Sequence, residues 1–282
     1  MSSNQTPEVN YIFKAKTKEA FVIKILSELL SHTIKFAPFR IDHEGIHLSQ
    51  ADMNYSQLIN FTLHKENFQS YKYTHQLNFM VNSSHLYRML KAIKKKDYIT
   101  LFIREDDNTR LGICVETTDE NNKTNTFIRI TYNQPEVYRD PMGYENPTIT
   151  TAKEFQKMKN LHNISKNMII TSPHPGFIKF FCDGGEVFSR EVAIGSDERD
   201  EDEQSEEIEE YRQVFTTSHI TQLTKCAGQS GNVQIFVQHD LPLKIKMKAG
   251  NLGDLTVFIK SREQIELEHK MEAEKKKMID DE

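Results

Sequence analysis

Four residues hold equivalent places in four helix-like segments of the chain: Lys24, Arg88, Lys157 and Thr221, separated by 64, 69 and 64 residues. Three of the four are basic. A near-constant period across the whole chain points to an architecture built by repetition rather than to one catalytic cleft. The chemistry that lysine and arginine offer at such positions is to hold phosphates by charge. Lys91 and Lys95 follow Arg88 at i+3 and i+7, on one helical face, with Lys94 beside them; Lys153 and Lys157 stand four apart in the third segment, and Lys225 follows Thr221 in the fourth. Lysine and arginine are also ordinary solvated helix formers. Four segments with the same bias, nearly free of acid on their exposed faces, favour a phosphate-facing surface.

The acid lies elsewhere, above all in residues 197–210 (DERDEDEQSEEIEE), so a chain with net charge -5 has segregated its charges. Those carboxylates are suitable ligands for magnesium or calcium, but the run lacks the glycine and alternating spacing of a calcium loop and reads as a flexible solvated segment. A metal-dependent nuclease using it is the weaker alternative. Cys114, Cys182 and Cys226 form no CxxC pair, which fits a reducing compartment. The glycines at 184–185 and 250–253 match neither a Walker A loop nor GxGxxG, and read as turns. Eleven histidines include no HExxH, and no Ser or Cys stands in a nucleophile elbow. The expectation is a protein with no catalytic residues, metal or cofactor.

The elements that would position the basic residues repeat with them. Each helical segment is preceded by a short β-type run (residues 11–16, 76–82, 147–151 and 211–217) and followed by three runs of alternating or β-branched residues. Ile46, Leu111, Ile178 and Leu243 fall 22, 23, 21 and 22 residues after the four markers, so the register persists through the strands. In the first helix Val22, Ile25, Leu26 and Leu29 form the buried stripe, and in the second Leu86, Met89, Leu90 and Ile93 do. Phe155 and Met158 face inward in the third, Ile220 and Leu223 in the fourth. Ser83 or Ser84 can cap the second helix, and residues 151–154 (TAKE) form a capping-box pattern for the third.

At 282 residues the chain has room for two domains of two repeats each. The boundaries read as an N-terminal tail 1–10, a first domain 11–132, a connector 133–147, a second domain 148–261 and a charged tail 262–282. No apolar run reaches about 18 residues and the polar start shows no signal-peptide pattern, so a soluble, non-secreted protein is expected. Usage rich in Asn, Lys and Ile suggests an AT-rich genome.

With the repeat laid out, residues 11–261 resemble the PCNA family of sliding DNA clamps. Residues 45–71 (GIHLSQADMNYSQLINFTLHKENFQSY) resemble its first-domain strand and loop region, 80–101 (MVNSSHLYRMLKAIKKKDYITL) its second inner helix and following strand, and 241–259 (LPLKIKMKAGNLGDLTVFI) its C-terminal strands. The resemblance implies an α+β two-domain DNA-clamp fold of four βαβββ repeats, with helices lining the inner face and antiparallel sheets outside. It implies a homotrimeric ring that encircles duplex DNA without reading sequence, tethers DNA polymerase and other replication or repair proteins as a processivity factor, and needs an ATP-dependent clamp loader. The site of action would be the nucleus or a viral replication site, with no membrane partner. Lys24, Arg88, Lys91, Lys157 and Lys225 match the family's channel-lining basic positions, and Lys94, Lys95 and Lys153 are added from this sequence.

The family's pocket for short partner motifs implies Ala51, Tyr55, Leu58, Pro242, Phe258 and Lys260 as its lining here, with Val137, Tyr138 and Met142 from the connector. Ala51 and residues 260–262 (Lys-Ser-Arg) depart from the family's pattern and suggest a shallower pocket or different partner motifs. The strands that would pair between subunits, 125–131 and 186–194, are polar. A non-ring relative, monomeric or hetero-oligomeric, that binds DNA through one basic helical face is the alternative.

Overall fold

Residues whose apolar faces recur with the period of the sequence become strands and helices with the same period. The computed structural model describes residues 10–117, 122–134, 136–196 and 210–280. The first repeat is β1 (Tyr11–Thr17), α1 (Ala20–Thr33), β2 (Phe36–Ile41), β3 (Gly45–Ala51) and β4 (Gln57–His64), followed by an extra strand β5 (Ser70–Tyr73). The second is β6 (Leu77–Asn82), α2 (Ser83–Leu90), β7 (Tyr98–Arg104), β8 (Arg110–Glu116) and β9 (Lys123–Tyr132). The third is β10 (Thr148–Thr151), α3 (Ala152–Phe155) with a 3-10 continuation over Gln156–Leu161, β11 (Asn167–His174), β12 (Phe177–Asp183) and β13 (Ser189–Ile194). The fourth is β14 (Tyr211–Thr216), α4 (Thr217–Thr221), α5 (Thr224–Ala227), β15 (Asn232–Phe236), β16 (Leu243–Ala249) and β17 (Gly253–Ile259). Helix α6 (Arg262–Asp280) follows the last repeat. The fold is α+β, with four βαβββ units.

The four apolar markers Ile46, Leu111, Ile178 and Leu243 lie in β3, β8, β12 and β16 and are all buried, none more than 4% exposed. A period-2 strand turns alternate side chains to opposite faces, so a marker kept at one register keeps the inward face inward in every repeat.

The chain forms two compact units, one from the described parts of Met1–Gln50, Asn60–Val137 and Ala249–Asp254, the other from those of Ala51–Ile59, Tyr138–Lys248 and Leu255–Glu282. In the first, β1 pairs antiparallel with β5 and β7, β2 with β3 and β6, and β9 with β6 and β8. Helices α1 and α2 pack side by side. Val22, Ile25, Leu26 and Leu29 are buried as the stripe requires, and Leu26 and Leu30 meet Phe13, Phe61 and Phe79 from the strands around one apolar hollow. Burying each such side chain contributes roughly 1.5–3 kcal/mol. Gly45, at φ +151, stands where a Cβ would come within 2.0 Å of the Leu63 carbonyl oxygen, so the β3–β4 approach needs glycine there.

Helix α2 is shorter than its periodicity predicts. It stops at Leu90 because buried Asp97 accepts the Lys94 N–H at 2.8 Å and closes the following turn, leaving Lys94 and Lys95 beyond the helix. Leu86, Leu90 and Ile93 are buried, but Met89 is 38% exposed, since the stripe it would complete ends one turn early. The cap is Asn82, whose side chain accepts the His85 N–H at 3.0 Å, rather than either serine. Asn82 ends β6 with extended dihedrals and so holds the cap position itself.

The second unit contains the strand run β10-β15-β16-β17, which is one end of a longer sheet, and the four-stranded sheet β13-β12-β11-β14; its Phe155, Met158, Ile220 and Leu223 are all fully buried. Thr151 caps α3 by accepting the Glu154 N–H at 3.2 Å, as the capping-box pattern predicts. The fourth helical segment is broken in two. Thr224 Oγ1 donates to the Thr221 carbonyl at 2.6 Å and competes with the helical ladder, as threonine does in helix interiors. Gly250, at φ +55, turns β16 toward β17, and Gly185, at φ +83, turns β12 toward β13, so both glycine stretches are turns.

Candidate nucleic-acid and partner interfaces

In the first unit the basic residues collect where α1 and α2 lie together. Arg88, Lys91, Lys94 and Lys95 are exposed. Arg88, Lys91 and Lys94 form no ion pair among the described residues. Lys91 follows the last helical residue of α2, where a cation also meets the negative end of the helix dipole. Lys24 differs from these: it is half-buried, donates to the Ile93 carbonyl oxygen at 2.9 Å, and lies 5.2 Å from the Phe21 ring centroid. Lys95 approaches the same ring from the other side of the sequence, at 5.7 Å.

In the second unit Lys153, Lys157 and Lys225 are exposed on the short helices, whose buried faces carry Phe155, Met158, Cys226 and Ala227. Lys157 lies 3.8 Å from Glu154, a surface pair worth little in water. Thr221, the marker that breaks the basic series, is only 5% exposed, and its hydroxyl meets His162 Nδ1 at 2.7 Å. It is therefore a packing residue at the junction of α4 with the Gln156–Leu161 turn, and its polarity serves that hydrogen bond.

The pocket residues assigned from the sequence fall into two clusters of the second unit. Ala51 is buried and Leu58 half-buried. Between them Asp52 accepts the Gln57 N–H and the Ser56 hydroxyl, each at 2.8 Å, and the turn drives Tyr55 to φ 52 and 58% exposure. The Lys260 N–H donates to the Ser56 carbonyl at 2.9 Å, joining this turn to the end of β17. Lys260 Nζ pairs with Glu268 of α6 at 2.6 Å, so the tail helix engages one of the assigned lining residues.

The second cluster forms around Tyr144, which the sequence reading passed over. Its hydroxyl donates to the Pro242 carbonyl at 2.7 Å, and its ring lies 5.9 Å from Phe236 and 6.1 Å from Phe258. Burial, with the charge of Asp140 adding to it, pushes the Tyr144 hydroxyl well above the ordinary tyrosine range, so it remains a donor. Lys244 Nζ lies over all three rings, at 4.9, 4.6 and 5.8 Å from the Tyr144, Phe236 and Phe258 centroids. The other connector residues stand apart: Val137 and Met142 are 89% and 86% exposed, and Tyr138 is half-buried. The clue to Tyr144 was its type, a large ring two residues beyond Met142.

Other chemistry-bearing groups have structural occupations. Asp42, Glu44 and His47 converge, but Asp42 accepts the Glu44 and Gly45 N–H groups, meets His47 Nε2 at 3.0 Å and pairs with Arg40. Burial would raise its carboxyl, yet those hydrogen bonds and the His47 and Arg40 charges hold it below the ordinary range. All three cysteines are free, and burial raises the thiols of Cys114 and Cys182. The acidic run lies outside the described residues, apart from Glu210.

An α+β chain of four βαβββ units, with exposed cations on or just beyond its helices, is built like a DNA clamp. Residues 12–134 match the family model for the proliferating cell nuclear antigen N-terminal domain, and residues 142–262 that for its C-terminal domain. The protein described as "Probable DNA polymerase sliding clamp 1" of Paramecium bursaria Chlorella virus 1 is 21% identical over 254 residues, covering 89% of this chain and 97% of that protein. The chain belongs to the PCNA family of sliding clamps, the processivity factors of DNA polymerases. Members of that family are non-enzymatic scaffolds.

Proposed function

We propose that this chain assembles as a homotrimeric ring around duplex DNA and tethers a DNA polymerase through the Tyr144–Phe258 region, without performing chemistry itself. The observation that carries this reading is the placing of its cations: Arg88, Lys91 and Lys94 on or just beyond α2, and Lys153, Lys157 and Lys225 on the short helical turns of the second unit, are exposed side chains. Such contacts hold phosphate without reading bases, which suits a ring that must move along any sequence. A topological link needs no tight binding.

Two strand edges support ring closure. Residues 123–129 of β9 pair with β8 on one side, while β6 reaches only residues 130–132 on the other. Strand β13 pairs with β12 and ends its sheet. Each edge presents backbone donors and acceptors that a second copy can pair. An ATP-dependent loader would open the ring, at the cellular or viral site where DNA is replicated.

The deciding experiment loads the protein, with its loader, on circular and on linear DNA and then washes in high salt. Retention on circles with loss from linear ends is the expected result. Equal loss from both would replace the ring by an open clamp holding DNA through one helical face, with log K falling by about 0.9 per log salt for each phosphate neutralised.

A further inference from the structure

Strand β16 alternates strictly: Leu243, Ile245 and Met247 are buried, and Lys244, Lys246 and Lys248 take the opposite face. That alternation sets Lys244 directly across from Phe236 of β15, and Lys246 across from Gln234. Lys244 thus enters a cluster that is otherwise aromatic, and its half-buried ammonium is met by three ring faces and by no carboxylate among the described residues. The neighbouring cation, Lys260, is already paired with Glu268. Asp140 bears electrostatically on Tyr144.

Ring faces attract a cation but leave its outward N–H donors to water. An apolar partner side chain that displaced Lys244 would forfeit three ring contacts and gain none of its charge. A partner that leaves Lys244 in place and offers a carboxylate keeps the rings as the floor of the pocket and makes a charge-assisted hydrogen bond shielded by them. Lys246, exposed one step along the same face, extends the positive potential in one direction.

We propose that Lys244 is a specificity determinant of the partner pocket, selecting acidic linear peptides that place a carboxylate beside their apolar anchor. This rests on the reading of the Tyr144–Phe258 cluster as the partner pocket. The charge is the selective element, because a pocket of rings alone would accept a neutral or an acidic neighbour equally.

The test selects a display library of short linear peptides on the full chain, then measures binding of the selected peptides and of twins with Asp→Asn and Glu→Gln changes by fluorescence anisotropy. Wild-type protein is expected to lose about tenfold in affinity for the amide twins. Lys244→Met, which keeps the stem and removes the charge, is expected to bind acidic and amide peptides within about twofold of each other, and Lys244→Arg to restore the preference. Equal binding of the twins by wild type, or a preference that survives in Lys244→Met, would overturn the assignment of Lys244 while leaving the pocket in place. Peptides bound undiminished by Tyr144→Ala, or a selection that yields no binder, would overturn the pocket reading and the specificity together.

Discussion

The ammonium of Lys24 donates to the carbonyl oxygen of Ile93 across 2.9 Å and ties α1 to the chain just beyond α2. That structural bond occupies a side chain which the family resemblance alone counts among the phosphate-facing cations. Lys24→Met is expected to lower the stability of the protein by about 1–2 kcal/mol through the lost charge-assisted bond. Arg88→Met, at an exposed position with no ion pair, should stay within about 0.5 kcal/mol of wild type. Denaturant midpoints compare the two, and equal midpoints would mean that the Lys24 bond contributes nothing in solution.

Arg88→Glu combined with Lys91→Glu is expected to weaken DNA retention strongly and to flatten its salt dependence, while leaving peptide binding unchanged. Each neutralised phosphate contact contributes a slope of about 0.9, so losing two should reduce the slope by roughly 2 per ring subunit engaged. Loss of both activities would indicate misfolding.

Thr221→Lys restores a cation to the series but not to the surface. The side chain is 5% exposed and its hydroxyl is held by His162, so the charge would be buried without a partner. Destabilisation of about 2 kcal/mol or more is expected, with no gain in DNA retention. A stable variant with tighter retention would show that the fourth repeat can present a phosphate contact after all.

His219 gives the fold a pH dependence. Burial lowers its pKa, against the opposing charge of Asp52, and its Nδ1 has no hydrogen-bond partner among the described residues. The folded state therefore binds the proton less readily than the unfolded chain. Stability from this group is complete above the unfolded value of about 6.5 and is lost as pH falls from there through the lower folded value. A midpoint measured between pH 8 and pH 5 should fall on acidification, and His219→Gln should flatten that part of the curve. An unchanged profile in the variant would assign the acid sensitivity to other groups.

The period of the fold was legible because it is carried by burial, which patterning records directly: Ile46, Leu111, Ile178 and Leu243 sit at one register and face inward. The exposed cations were legible as positions and less so as roles. Nothing in the local pattern distinguishes Lys24, bound to Ile93, from Arg88, or shows that Thr221 points inward to His162. The end of α2 was hidden because it depends on Asp97, a residue past the helix whose carboxylate caps the turn. Tyr144 and Lys244 meet only through the sheet, one hundred residues apart in sequence, and a strand's alternation shows which face a lysine takes but not which rings await it.

Residues 249–254 belong to the first unit although they come after most of the second. They are bound there through the Leu252 carbonyl, which accepts from His64 and Asn67, through Asn251 on Glu19, and through Asp254 on His64. A ribosome that has finished residues 1–137 has therefore released a half that still lacks six of its own residues. That half cannot complete its structure until most of the remaining chain has emerged, so a truncation anywhere before residue 249 damages the beginning of the protein as well as its end.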